Sequence, residues 1–186
     1  MANAWQILEQ NTLALTLVPI QIRELFFLDK AACDIYNQES GQYTLLLKKN
    51  SFVNKNVLKE LITNHQTLLF VKENERRYIK EAQQENLREI TRSLSMGDGL
   101  ENGRKQMGLL TVNLGYLYED PNDEGTLNLQ YQSLRNLCSF LLHNQDLWRR
   151  LYTDYLKQKH HYVLSQPMIA AFFLLGIIKN THALNE

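Results

Sequence analysis

The densest chemistry in the chain sits at Trp148, Arg149, Arg150 and Tyr152. Two guanidinium groups beside two aromatic rings are the means of gripping a phosphate and stacking on a nucleotide base. These four residues are therefore candidate ligand-binding groups. The plainer alternative is a helix turning from a buried aromatic face to a solvated charged one, because neighbours on a helix point about 100° apart. The other basic groups are weaker: Lys48, Lys49 and Lys55 flank a hairpin, and Arg76-Arg77 open a helix. Tyr36, Tyr43 and Tyr78 are candidates for an aromatic groove beside a sheet, though strand tyrosines are common without ligands.

Acid–base and metal chemistry find little to work with. The five histidines are His65, His143, His160, His161 and His182. Adjacent histidines such as His160-His161 diverge on a helix and rarely share one metal. No HExxH and no His-Asp dipeptide occurs. There is no GxSxG nucleophile turn. Gly97-Asp98-Gly99 with Gly103 lacks both the preceding strand and the following Lys-Ser/Thr of a phosphate loop, so it reads as a helix break. Cys33 and Cys138 stand far apart, outside any CxxC or Cys/His spacing, as buried thiols of a reducing compartment do. No catalytic residue, metal or cofactor is predicted.

The elements that must position these groups fall into two kinds. Leu13–Pro19 predicts a strand ended by proline, and Gln21–Leu28 a helical turn. Cys33–Tyr36 and Tyr43–Lys48 predict a hairpin around Glu39-Ser40-Gly41, where glycine supplies a positive φ cheaply. Asn54 caps a helix with an apolar stripe at Val57, Leu58, Leu61 and Ile62, closed by Asn64. Gln66–Val71 (QTLLFV) reads as a strand buried on both faces. From Glu73 the pattern becomes helical: a charged segment over 73–95 with a thin stripe at Ile79, Leu87, Ile90 and Leu94, then helices over about 101–118, 126–161 and 166–179. The third of these carries Leu127, Tyr131, Leu134, Leu137, Cys138, Leu141 and Leu142 at helical spacing as one buried face, with a break near Asn144. Ser165 caps and Pro167 opens the last helix, MIAAFFLLGII, apolar all round and so either core or interface.

The 186 residues accordingly predict an α+β protein: a small N-terminal mixed sheet with a covering helix (1–72, sensor-like), then a mostly α-helical, bundle-like half (73–186) joined by the long charged helix. Twenty basic residues balance twenty acidic ones, leaving no overall field to attract nucleic acid. The start, MANAWQILEQN, lacks the basic-then-apolar order of a signal peptide, and the run Met168–Ile178 is too short for a membrane span, which needs roughly 20 residues. A cytoplasmic protein is expected.

The run Cys33-Asp34-Ile35-Tyr36, Gly41-Gln42-Tyr43, Leu45-Leu46-Leu47-Lys48, Leu58…Leu61 and Leu68-Leu69-Phe70-Val71 with Tyr78 resembles a known family segment. It is similar to the small N-terminal regulatory domain found ahead of bacterial HD-GYP-type phosphodiesterases, which act on cyclic di-GMP. Asp154–Gly176 resembles the opening helix of such a hydrolase. The family's His-Asp dyad and Gly-Tyr-Pro segment are absent from these 186 residues, so its activity is not carried over. The resemblance implies a non-catalytic bacterial signalling or adaptor module that senses a ligand or partner and shifts the Glu73–Leu94 helix. It would dimerise or dock to a protein partner through Phe172, Phe173, Leu174 and Ile177, with no nucleic acid and no membrane span. Two alternatives stand beside it: a receiver in which Trp148, Arg149, Arg150 and Tyr152 clamp cyclic di-GMP, and a degenerate or truncated HD-type phosphohydrolase.

Overall fold

A computed structural model describes residues 4–157 and 162–180. The chain divides into two units, Met1–Gln83 and Gln84–Glu186. The architecture is α+β, with a small sheet near the N-terminus and a helical, bundle-like remainder.

In the first unit, α1 (Ala4–Thr16) leads into β1 (Leu17–Gln21), a 3₁₀ turn (Ile22–Phe27), β2 (Ile35–Glu39), β3 (Gln42–Leu47), α2 (Lys55–Thr63) and β4 (Leu68–Lys72). The strands run in the order β1-β4-β2-β3, and every pairing is antiparallel where a mixed sheet was expected. Two antiparallel steps suffice because β4 inserts between β1 and β2 after the helical excursion through α2. The expected strand over Leu13–Pro19 begins only at Leu17, since α1 continues through Thr16. Pro19 sits in an edge strand, where one missing N–H costs little. The β2–β3 hairpin turns on Ser40 (φ 50°) and Gly41 (φ 79°), the paired positive angles of a two-residue primed turn.

The core lies on one face of this sheet: Ile20, Ile35, Leu69 and Val71 pack with Ile22, Leu25 and Leu58, all at most 1% exposed. Each such side chain contributes on the order of 1.5–3 kcal/mol. β4 was expected to be buried on both faces, but Leu68 is 38% exposed and only Leu69 and Val71 are fully enclosed. The strand alternates instead, with Leu69 and Val71 on the core face. Asn54 caps α2 as expected, its Oδ1 accepting from Asn56 N–H at 3.0 Å, and Asn64 closes it.

After a 3₁₀ turn at Glu73–Glu75, α3 (Arg76–Ser93) crosses the boundary between the units. Its predicted stripe is buried: Ile79, Leu87 and Ile90, then Leu94 just past its end, joined by Gln83. At its first turn, Arg76 Nη1 donates to the buried Glu24 carboxylate at 2.5 Å, and Gln21 N–H donates to the same group at 2.9 Å. Gln83 Nε2 donates to Glu24 O.

The second unit adds α4 (Gly99–Glu119), α5 (Glu124–His143), α6 (Gln145–Lys157) and α7 (Tyr162–Asn180). Asp98 and Asp123 cap α4 and α5 through their carboxylates. Gly103 lies inside α4 because a Cβ there would meet Leu151 Cδ1 at 2.8 Å; a Cβ at Gly99 would meet Phe140 Cζ at 2.9 Å. The long helix expected over 126–161 does break at Asn144, whose side-chain Nδ2 and backbone N–H both donate to Phe140 O.

The buried face of α5 differs from the expected one. Leu127 (52%) and Tyr131 (64%) are exposed, while Thr126, Ser133, Leu137 and Leu141 are buried. Polar groups displace apolar ones there because α3, α4 and α5 meet along a hydrogen-bonded seam. Gln106 Nε2, on a residue 0% exposed, donates to Thr91 Oγ1, Ser133 O and Asn136 Oδ1 at 3.1, 3.2 and 3.3 Å. Gln84 Nε2 donates to Thr126 Oγ1 at 2.8 Å and Asn113 Oδ1 at 3.2 Å. Asn113 Nδ2 in turn donates to Gln130 Oε1 at 2.9 Å.

The last helix starts before its predicted cap. Tyr162–Leu164 are helical and Pro167 lies inside α7, so Ser165 is not the cap and Pro167 does not open the helix. Pro167, with no N–H to donate, leaves one backbone hydrogen bond of the helix unmade, and the Leu164 side chain in the turn ahead of it lies near Gly115 of α4.

Candidate functional site

In α6 the helical period places Leu151 and Tyr155 inside and leaves Trp148 and Tyr152 half-buried beside them. At i and i+4, the Trp148 and Tyr152 rings stack at 6.0 Å with planes 16° apart. Phe172 of α7 packs edge-on against Trp148 at 6.1 Å and tilted against Tyr152 at 5.4 Å. Gly176, one turn further along α7, faces the indole: a Cβ there would lie 3.4 Å from Trp148 Cζ2. Tyr152 also meets Phe173 at 6.1 Å.

Where α5 ends and α6 begins, this aromatic cluster borders a hollow of about 430 Å³. Leu141, Leu142 and Leu175 supply its apolar wall, Trp148 and Gly176 its floor, and Gln145, Asp146 and Arg149 its polar rim. That volume falls within the roughly 300–1,000 Å³ range of small-molecule sites. The rim mixes signs, because the Asp146 carboxylate stands one turn from the Arg149 guanidinium. A ligand fitting it has an apolar body and a polar group at the mouth. Trp148 Nε1 is buried and, among the described residues, has no hydrogen-bond acceptor.

The four predicted ligand-binding residues are thus only partly brought together. Trp148 and Arg149 line the hollow; Tyr152 supports Trp148 from behind; Arg150 is exposed and is not among the lining residues. The residues that sequence reasoning missed are Leu141, Leu142, Gln145, Asp146, Leu175 and Gly176. Only the break at Asn144, which turns the end of α5 toward the start of α6, pointed to them.

The α7 residues divide sharply. Phe172 is 1% exposed and Leu175 8%, both interior, whereas Phe173, Leu174 and Ile177 are 60%, 58% and 58% exposed. No Asp, Glu, Lys or Arg occurs from Tyr162 to Ile178. The outward stripe is therefore apolar and uncharged.

Other candidates lie apart from these features. Tyr36 and Tyr43 are half-buried on the sheet face turned away from the core, where Tyr43 meets Phe70 edge-on at 5.1 Å. Tyr78 instead lies under Lys49 Nζ and the Arg77 guanidinium, each 5.1 Å from its ring. His65 is exposed at φ 62°, and His143 Nδ1 lies 2.7 Å from Ser139 O. His160, His161 and His182 lie outside the described residues. Among the described residues, no group of three or more His, Cys, Asp or Glu side chains is placed to hold a metal. Burial pushes the Cys33 thiol up to about 11, with Glu75 and Asp34 adding to the effect, and burial also raises Cys138. Low-pKa nucleophiles require the opposite environment. No described helix is long and apolar enough to cross a membrane.

No family model and no curated protein matches the chain. Among solved structures it is similar to Bd1817, an HDG"Y"P protein from Bdellovibrio bacteriovorus, with a TM-score of 0.51 and 15% identity over 74% of this chain. At that identity the likeness shows a shared fold, related to that of an HD-GYP protein. The chain spans 45% of that protein's length.

Proposed function

We propose that this chain is a non-catalytic signalling or adaptor module of HD-GYP-related fold that acts by helix-mediated self-association or docking. The observation that carries this reading is the outward stripe of α7, where Phe173, Leu174 and Ile177 are each more than half exposed within a stretch, Tyr162 to Ile178, that carries no charge. Exposed apolar residues grouped on one helix face mark an interaction site. A zero formal net charge lets two copies approach without mutual repulsion. The first unit supplies the input and α3 the transmission, since residues 76–83 of that helix belong to one unit and 84–93 to the other. The likeness in fold to an HDG"Y"P protein supports reading such a module as a cytoplasmic part of cyclic di-GMP signalling.

The test is solution mass by light scattering for the wild type and for the double substitution Phe173→Glu with Ile177→Lys. Both positions point outward, so the variant keeps its interior. A wild-type dimer that becomes a monomer is the expected result. Equal masses for the two proteins would remove self-association and leave docking to a different protein.

A second reading has its own observation, the hollow carrying Trp148 and Arg149. In it the chain is a cyclic dinucleotide receiver, with the base stacked on the indole and a phosphate held by Arg149. Titration with cyclic di-GMP would quench Trp148 fluorescence and release heat, and Arg149→Ala would weaken both. Absence of either signal removes this reading. Asp146 at the same rim opposes a dianion, which is why docking is the first reading.

A further inference from the structure

The rim of the hollow where α5 meets α6 carries two opposite charges that do not neutralise each other. Asp146 and Arg149 lie three residues apart on α6, with the acid first, the order that favours an ion pair along a helix. Elsewhere in the chain such pairs close: Glu85 with Arg88 at 3.0 Å, Glu101 with Arg104 at 3.4 Å and Asp154 with Lys157 at 3.6 Å. Among the described residues, neither the Asp146 carboxylate nor the Arg149 guanidinium has a hydrogen-bond or ion-pair partner. Both line the hollow.

The rest of the lining is apolar and held in place. Leu141, Leu142 and Leu175 form the wall, and the Trp148 ring is fixed between Tyr152 at 6.0 Å and Phe172 at 6.1 Å. At ~30 Å³ for each water-sized group, 430 Å³ holds about 14 non-hydrogen atoms. Leucine and phenylalanine fall within that size, and a whole cyclic dinucleotide lies far outside it. A ligand with one sign of charge would set that charge against one of the two rim groups. An uncharged ligand would leave both without a partner. A small molecule with an apolar body and both signs of charge matches every part of the lining.

From this we infer that the hollow binds the zwitterion of an apolar α-amino acid such as leucine or phenylalanine. Its ammonium group donates to the Asp146 carboxylate, its carboxylate accepts from the Arg149 guanidinium, and its side chain lies against the leucine wall and the indole. An α-amino acid carries its two charged groups on one carbon. That spacing suits rim side chains one helical turn apart, whose Cβ atoms are about 5–6 Å from each other. The site gives the second unit a ligand of its own, whether or not α7 docks to a partner.

The experiment uses the full chain labelled with ¹⁵N. Its tryptophans are Trp5 and Trp148, and Trp148→Phe identifies the indole N–H signal that belongs to the hollow. L-Leucine and L-phenylalanine should shift that signal saturably, and glycine, which lacks the apolar body, should not. N-acetyl-leucine lacks the ammonium group and leucinamide the carboxylate, so each should bind more weakly than leucine by about fivefold or more. Asp146→Asn should erase the preference for leucine over N-acetyl-leucine, and Arg149→Gln the preference over leucinamide. Both positions are exposed, so an unchanged melting curve serves as the fold control. No saturable shift with either amino acid at about 10 mM, where even weak millimolar binding is visible, overturns the inference. Equal binding of leucine and its two analogues, or preferences that survive both substitutions, overturns it as well. A shift with cyclic di-GMP and none with leucine overturns it in favour of the receiver reading.

Discussion

Phe172 and Phe173 are the same residue type at adjacent positions of one helix, and their replacement by alanine should have opposite consequences. Phe172 is 1% exposed and touches both Trp148 and Tyr152. Loss of such a ring costs about 3–5 kcal/mol through transfer and cavity effects. Alanine is the better helix former by about 0.5 kcal/mol, so the net loss is roughly 3–4 kcal/mol. Phe173 is 60% exposed and makes one edge-on contact with Tyr152. That contact is worth about 0.5–1 kcal/mol at most, and the gain in helix propensity offsets most of it. Urea denaturation of both variants at low protein concentration separates the two, because dilution removes any contribution from association. Phe172→Ala should lower the midpoint strongly and Phe173→Ala hardly at all. At high concentration the order changes in kind: the proposed self-association would make the wild-type midpoint concentration-dependent, and Phe173→Ala should lose that dependence. Equal destabilisation by the two variants in dilute solution would refute the division of α7 into an inner and an outer face.

Further outcomes follow from other features. Arg76→Ala strips the partly buried Glu24 carboxylate of its 2.5 Å cation, and denaturant titration should record a loss of about 2–4 kcal/mol. Gln106→Ala removes one amide that makes three hydrogen bonds across the seam and should cost about 1–3 kcal/mol, with no change in the mass of the folded protein. Cys33 makes stability fall on the alkaline side. Its folded-state value of about 11 lies above the ordinary 9.0, so the unfolded chain releases the proton first. The contribution is intact below pH 9 and declines as pH rises toward 11, by at most about 2–3 kcal/mol. Cys33→Ala should flatten that slope in a pH series of urea midpoints, and an unchanged slope would count against the burial account.

Much of the fold was readable because local chemistry and global position agree. Glu39-Ser40-Gly41 carries its turn geometry in its residue types, Asn54 and Asn64 bracket α2, and Ile79, Leu87, Ile90 and Leu94 keep helical spacing. What escaped is polar burial. Thr126 and Ser133 look like surface positions, yet they face Gln84 and Gln106 across helices far away in sequence. Once they take the inner face of α5, Leu127 and Tyr131 are turned outward. The start of β1 was misplaced because LALTLV suits either a strand or the end of a helix, and only pairing with β4 decides it. At the hollow, Trp148 and Arg149 were visible as residue types. Leu175 and Gly176 were not, since their part depends on where α7 crosses α6.

The seam between α3, α4 and α5 also bears on how a signal could travel. An apolar contact tolerates small slips, because one methyl group replaces another with little loss. Amides do not share that tolerance: displacing α3 by a single residue would separate Gln84 from Thr126 and Thr91 from Gln106 together. Each buried group left unpaired costs about 1–3 kcal/mol, so intermediate positions are strongly disfavoured. A full-turn shift does not repair the loss, because it would bring Lys80 or Arg88 to the place of Gln84 and Leu87 or Ser95 to that of Thr91. The polar interior therefore holds this stretch of α3 in one register against α4 and α5.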